Sequence, residues 1–251
     1  MIQHRVICCP ADLGATPEQV RDASVFRKWL ERLRQNAPGV RLERVYVEQI
    51  FRWGGTNEIR MLMLSVEAYD QNGKQLDRPV FLRGDTVCVV PTLYCNGQRY
   101  GVLISQLRVA GAQDDVLDWA SGMIDHGDIE PKSAALRELL EETGTTDNVQ
   151  WKPVVNLGEA FTGSAEPFGV SEGGTDEGAY VFWAEADVEP TVLDALQGAQ
   201  TGVAEEGEEL KVVIAPWREV PRLLARGGRP CGKAALGYLL LDRELQAQGE
   251  G

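Results

Sequence analysis

The chain has 251 residues, 43% apolar and 25% charged, with a net charge of −13. These are globular proportions, enough for one sizeable domain or a domain with a small appendage, and they argue against a disordered chain. The acidic excess disfavours non-specific binding to nucleic acid or anionic membrane, and no apolar run reaches the roughly 18–20 residues that span a bilayer. The opening MIQHRVICCPADLG has too short an apolar segment for a secretory signal and is not Arg/Ser-rich like a transit peptide, so a cytoplasmic location is expected. Cys8, Cys9, Cys88, Cys95 and Cys231 show no C-x-x-C spacing, which suits reduced thiols. His4 and His126 are the only histidines. They leave little for a histidine-rich zinc site, so oxygen is the expected metal donor.

Thr16-Pro17-Glu18-Gln19 reads as a helix start, with Thr16 as N-cap, Pro17 in the first position and Gln19 closing a capping box. Val20, Phe26, Trp29, Leu30 and Leu33 give this helix an apolar stripe to about residue 35, where Ala37-Pro38-Gly39 breaks it. Strands are then predicted over 44–50, 59–69, 80–82, 87–94, 100–106 and 116–120. Asn72-Gly73 and Asn96-Gly97 mark hairpin turns among them. A short acidic helix follows, then strands over 154–157, 179–184 and 210–215 and closing helices over 218–226 and 231–246. Strands, helix, strands, helices in that order imply an α+β layered domain on a mixed sheet. The expected division is an N-terminal helical extension, 1–41, and a larger domain, 42–247.

The acidic helix carries the chemistry. Pro131 suits its first turn and Gly144 a left-handed C-cap. Leu136, Leu139, Leu140 and Thr143 are spaced to form one buried face. Glu138, Glu141 and Glu142 then share the remaining face. Three carboxylates so close repel by roughly 0.2–0.5 kcal/mol per i, i+4 pair. A hard divalent ion such as Mg²⁺ or Mn²⁺ would turn that repulsion into binding. Arg137, four residues before Glu141, is placed to orient its carboxylate.

Arg137-Glu138-Leu139-Leu140-Glu141-Glu142-Thr143-Gly144, preceded by Gly122, resembles the box of the Nudix hydrolases, G-x5-E-x7-R-E-U-x-E-E-x-G-U, where U is bulky and apolar. The second half is complete up to Thr145, which stands where the last apolar residue would be. The first half departs: after Gly122 and five intervening residues comes Asp128 rather than Glu, and eight rather than seven separate it from Arg137. Glu130 is the other acid available, in a register one residue short. Val80-Phe81-Leu82-Arg83-Gly84-Asp85, Gln106-Leu107-Arg108 and Ser171-Glu172-Gly173-Gly174-Thr175-Asp176-Glu177 are similar to segments of the nucleoside-diphosphate-sugar pyrophosphatases. Leu196-Gln197-Gly198 and Thr201-Gly202, leading to Gly207-Glu208, resemble the plant-type ADP-sugar diphosphatases. Where that group reads E-L-P-A-G, this chain has Asp118-Trp119-Ala120-Ser121-Gly122.

The resemblance implies a Nudix α/β/α sandwich, a small N-terminal extension and a homodimer. It also implies Mg²⁺-dependent (or Mn²⁺-dependent) hydrolysis of a nucleoside-diphosphate sugar, with ADP-glucose or ADP-ribose ahead of UDP-glucose. Glu138, Glu141 and Glu142 are the expected metal ligands, with the Ser121 backbone carbonyl as a further one. Relatives take a base or extra ligand from a loop after the box; here Glu208 matches best, with Glu206 second, and Glu142 is grouped with them. Arg83 and Arg108 are the expected phosphate clamps, because guanidinium forks match phosphate oxygens, and Asp176 and Glu177 are placed with the substrate. Trp53, Trp119 and Phe168 are candidates to stack on a base, each with a core role as the competing reading; His126 is read as a loop residue. The alternatives are a Nudix hydrolase of dinucleotides, NTPs or capped RNA, and a sensor that binds ADP-ribose without cleaving it.

Overall fold

Thr16 and Gln19 close the capping box that their spacing predicts. The Thr16 hydroxyl accepts the Gln19 N–H at 3.3 Å and the Gln19 side chain accepts the Thr16 N–H at 2.8 Å. The helix they start, α1 (Pro17–Asp22), does not run on to residue 35. Ala23 is extended (ψ 132°), and the chain restarts as α2 (Ser24–Asn36). The structure, a computed structural model, describes residues 6–52, 57–125, 128–145, 148–203, 208–226 and 230–249. The chain parts into two compact units, Met1–Asp85 with Ser171–Gly178, and Thr86–Val170 with Ala179–Gly251.

In the first unit, β1 (Val6–Cys8), β2 (Arg41–Arg52), β3 (Ile59–Tyr69) and β4 (Arg78–Leu82) form one sheet in that order, β1 parallel to β2 and the rest antiparallel. Val20, Val25 and Phe26 are buried in one cluster with Val45, Leu62 and Leu64, and Trp29, Leu30 and Leu33 pack around them. Because the predicted stripe is spent on β2 and β3, the compact units do not part at residue 41.

The second unit contains β5 (Thr86–Cys95), β6 (Gln98–Arg108), β7 (Gln113–Asp118), β8 (Ala120–Met123) and α3 (Pro131–Thr143). After these come β9 (Val155–Asn156), α4 (Leu157–Thr162), β10 (Phe168–Gly169), β11 (Gly178–Asp187), α5 (Pro190–Leu196), β12 (Gln200–Thr201), β13 (Leu210–Pro216), α6 (Val220–Leu224) and α7 (Gly232–Ala247). Asn96 and Gly97 both have positive φ (49° and 77°), as a two-residue type I′ turn requires, and β5 returns through them as β6. The main path of the sheet is β10-β11-β5-β6-β13-β12, with β7 on β6, β8 on β5 and β9 on β11. It is mixed, since β11 runs parallel to β5 while β6 and β8 run antiparallel to it.

Successive side chains on β5 point to opposite faces. Val87 and Val89 pack with Ala134, Ala135 and Leu139 of α3, whereas Cys88 and Val90 pack with Ala234 and Leu241 of α7. The second unit is therefore an α/β/α sandwich, and the fold is α+β. The expected strand over 154–157 shrinks to β9, because Asn156 accepts the Glu159 N–H at 3.1 Å and starts α4 there.

Candidate active site

Helix α3 begins at Pro131 and ends at Gly144, whose left-handed backbone (φ 66°) carries an N–H bonded to the Leu140 carbonyl at 3.0 Å. Its buried face is the expected one only in part: Leu139 and Thr143 are buried as predicted. Leu136 is 39% exposed, whereas Glu138 and Glu142 are 8% and 3% exposed and lie on the buried side with Ala134, Ala135, Leu139 and Thr143. The reason is the strand beneath. On β8, Gly122 has no side chain to occupy the space of the Glu138 carboxylate; a Cβ there would stand 1.9 Å from its Oε1 and 2.2 Å from its Cδ. One turn on, Glu142 Oε2 accepts the Ser121 N–H at 2.9 Å.

Arg137 gathers the neighbouring acids. It donates to Glu138 Oε1 at 2.7 Å, Glu141 Oε2 at 3.1 Å, the Met123 carbonyl at 3.0 Å and Asp128 Oδ2 at 3.2 Å. Asp128 Oδ2 also accepts the Asp125 N–H at 2.8 Å. This accounts for the irregular first half of the motif: Asp128, one methylene shorter than Glu and one residue further away, still reaches the guanidinium. Glu130 stays exposed just ahead of α3 and makes no capping bond. The expected final apolar position is taken by Thr145, fully buried, whose hydroxyl lies 2.6 Å from that of Thr143 and accepts from Trp151 Nε1 at 2.9 Å. A satisfied hydroxyl can occupy an apolar site at little cost.

Burial pushes the Glu138 carboxyl up to about 7, although Arg137 pulls it back, with Glu141 and Glu208 adding repulsion. Burial pushes Glu142 up to about 9 against the Ser121 N–H, with Glu138, Glu208 and Asp118 raising it further. For Arg137, burial weakens the charged form, but Asp128 and Glu138 more than compensate and its pKa rises. Acid whose burial outweighs the partners it has is what a divalent cation would neutralise.

The available donors are all oxygen, and the Ser121 hydroxyl is buried without a partner among the described residues. This donor chemistry fits a hard cation. Among the described residues, however, no three His, Cys, Asp or Glu side chains are gathered to hold one; Arg137 engages Glu138 and Glu141, and the Ser121 N–H engages Glu142. Glu208 is exposed at the foot of β13, its N–H bonded to the Val203 carbonyl at 3.3 Å. Glu206 lies outside the described residues.

In the first unit, Arg83 pairs with Glu177 Oε2 at 3.2 Å, and its Nε is buried without a partner among the described residues. Asp176 Oδ1 accepts the N–H groups of Arg83 at 2.7 Å and Gly84 at 3.1 Å. These bonds give Asp176 the role of a loop anchor. Burial raises its pKa while the two N–H groups oppose the rise. Sequence reasoning missed Arg32 as a partner of this loop. It pairs with Asp85 and donates to the Asp176 carbonyl at 3.3 Å, while Asp85 Oδ1 accepts the Gly178 N–H at 3.2 Å. Asp85 was visible in the Val80–Asp85 motif; nothing in the sequence sets Arg32 apart from the other arginines of α2.

Arg108, in the second unit, is exposed at the end of β6. Trp119 is not available to stack on a base. It is fully buried, stacks on Trp217 at 6.1 Å and donates from Nε1 to the Ala234 carbonyl at 2.8 Å. Phe168 is half-buried beside Phe161. Trp53 and His126 lie outside the described residues.

The NUDIX domain matches residues 82–230. Over 226 residues the chain is 31% identical to the protein named Nudix hydrolase 14, chloroplastic, of Arabidopsis thaliana, covering 86% of this chain and 71% of that protein. A crystal structure described as an ADP compounds hydrolase resembles it with a TM-score of 0.54 and 18% identity, covering 84% of this chain and 97% of that one. At that identity the likeness is one of fold.

Proposed function

The chain belongs to the Nudix hydrolase family, and we propose that its substrates are nucleoside-diphosphate sugars and its cofactor Mg²⁺ (or Mn²⁺). Pyrophosphate hydrolysis of a nucleotide-derived compound with a divalent metal ion is the general activity of that family. The observation that carries the reading further is the buried pair Glu138 and Glu142, one turn apart against Gly122 and the Ser121 N–H.

In this reading Glu138, Glu141, Glu142 and the Ser121 carbonyl hold the cation. Bound there, it supplies neutralisation of phosphate charge and activation of water. Glu208 takes the proton of the attacking water, with Glu206 the second candidate. The Arg83 and Arg108 guanidinium forks bind phosphate oxygens, and Asp176 and Glu177 hold the backbone and side chain of Arg83. Water adds to one phosphorus, the bridging P–O bond breaks, and the products are a nucleoside monophosphate and a sugar phosphate. ADP-glucose and ADP-ribose come first, on the sequence likeness of the loops, with UDP-glucose behind. A homodimer and a cytoplasmic location belong to the same proposal.

The test is incubation with ADP-glucose, ADP-ribose, UDP-glucose and NADH, with and without Mg²⁺, identifying the products. AMP and a sugar phosphate are expected from an ADP-sugar only when Mg²⁺ is present. Undiminished Mg²⁺-dependent turnover after replacing Glu141 and Glu142 with Gln would overturn the metal assignment.

A further inference from the structure

Thr201, half-buried in β12, donates its hydroxyl to the Glu142 carbonyl at 2.6 Å. That oxygen is in the last turn of α3, among the carbonyls for which a helix has no donor of its own. The same threonine explains a second demand on Gly144: a Cβ there would stand 2.9 Å from Thr201 Cγ2. Gly202 follows with φ 99°, a backbone that L side chains rarely adopt. A Cβ at 202 would lie 3.1 Å from Glu208 Cβ and 3.0 Å from Leu210 Cγ. Val203 and Glu208 then close on each other, with the Val203 N–H 3.5 Å from Glu208 Oε2, and Thr201 pairs with Leu210 across β12 and β13. One side-chain hydrogen bond thus links β12 to the helix residue that bears a box carboxylate.

We propose that Thr201, assisted by Gly202, is a positioning residue for the reaction: its hydroxyl ties the β12–β13 pairing, which holds Leu210 two residues beyond Glu208, to the helix turn that carries Glu142. Proton acceptor and metal-binding carboxylate then keep a fixed spacing. The proposal rests on the reading of Glu208 as the group that receives the water's proton. Thr201 itself touches no substrate. Its effect is on the placement of Glu208, so its loss lowers turnover more than substrate affinity.

The variants Thr201→Val, Thr201→Ser, Gly202→Ala and Glu208→Gln are compared by steady-state kinetics on ADP-ribose with Mg²⁺, which separate kcat from KM, and by thermal unfolding. Valine keeps the β-branch and removes only the donor. A misplacement on the order of 1 Å can cost about 10²-fold, so Thr201→Val is expected to lower kcat by about tenfold or more. Its KM should stay within about twofold, and Thr201→Ser should recover most of the loss. Gly202→Ala, which displaces Glu208 while leaving the Thr201 hydroxyl in place, should lower kcat similarly.

Parental kcat in Thr201→Val, or equal losses in the valine and serine variants, would overturn the proposal. So would parental kcat in a folded Gly202→Ala protein if Thr201→Val does not fold. Loss of activity in Glu208→Gln with none in Thr201→Val would reject this inference alone. Full activity in Glu208→Gln would reject the base assignment as well.

Discussion

Replacing Gly122 with Ala separates the work of Glu138 from the stability of the fold. A Cβ at 122 would stand 1.9 Å from Oε1, 2.2 Å from Cδ and 2.6 Å from Oε2 of Glu138, where ordinary contact begins at 3.4 Å. The carboxylate must therefore withdraw by about 1.5 Å, which breaks its 2.7 Å bond to Arg137. A displacement of that size corresponds to a loss of about 10²-fold in kcat/KM, or about 2.7 kcal/mol of transition-state stabilisation.

Stability should hardly change. Removing a charged hydrogen bond costs on the order of 1.5 kcal/mol at most for so exposed a partner. Against that, a Glu whose pKa is raised to about 7 by burial escapes that burial, and Gly→Ala contributes about 0.4–1 kcal/mol through the unfolded chain. The melting temperature in EDTA should stay within a few degrees of the parent. The assay is AMP release across a Mg²⁺ titration, with the double variant Gly122→Ala/Glu138→Gln as control; it should be no worse than Glu138→Gln alone. Activity within threefold of the parent at unchanged Mg²⁺ affinity, or losses that simply add in the double variant, would refute the reasoning.

Metal-free protein should lose stability as pH rises. Glu138 and Glu142 are protonated when folded up to about 7 and about 9, whereas the unfolded chain releases those protons in the ordinary carboxylate range. Their contribution is thus complete below that range and lost as pH climbs through the folded values. The melting temperature in EDTA should fall between pH 5 and pH 9, Mg²⁺ should oppose the fall, and Glu142→Gln should flatten it; a flat parental profile contradicts the burial argument. Arg137→Lys keeps one charge but cannot span four acceptors, so kcat/KM should drop by about 10- to 100-fold; near-parental kinetics would show that the fork is not needed. Arg32→Ala leaves Asp85, whose side chain is 6% exposed, without its cation. With Arg32 itself 32% exposed, urea unfolding should register a loss of about 1–3 kcal/mol, and a change under 0.5 kcal/mol would count against the pair.

The elements that were legible in the sequence had local causes. The Thr16–Gln19 capping box and the Asn96-Gly97 turn each depend on residues within one turn of each other, and α3 on signals at its two ends, Pro131 and Gly144, that each act within the adjoining turn. The buried face of α3 was misjudged in part, for a reason periodicity cannot encode. Hydrophobic spacing assigns leucines to the interior, but the sheet beneath this helix offers a glycine and a free N–H, which suit carboxylates better than methyl groups. Asp128 had the wrong length and the wrong register, and only the reach of Arg137 resolves both. Trp119 looked available on paper because its burial depends on Ala234 and Trp217, distant in the chain. Helices α4 and α5 went unseen, although Asn156 and Pro190 are ordinary start signals, since each runs for under two turns.

The segment Ser171–Gly178 has a practical consequence for anyone cutting the gene. It folds with residues drawn from the first third of the polypeptide: Gly174 accepts the Phe81 N–H at 2.8 Å, and Asp176 and Gly178 bind around Arg83 and Asp85. No single scission therefore separates the two bodies. A fragment ending at Asp85 would expose a strand edge and part Arg83 from Glu177, and the complementary fragment would carry eight residues with nothing to grip. Dissection must transplant that octapeptide onto the shorter piece, by a linker after Asp85 or by permuting the termini.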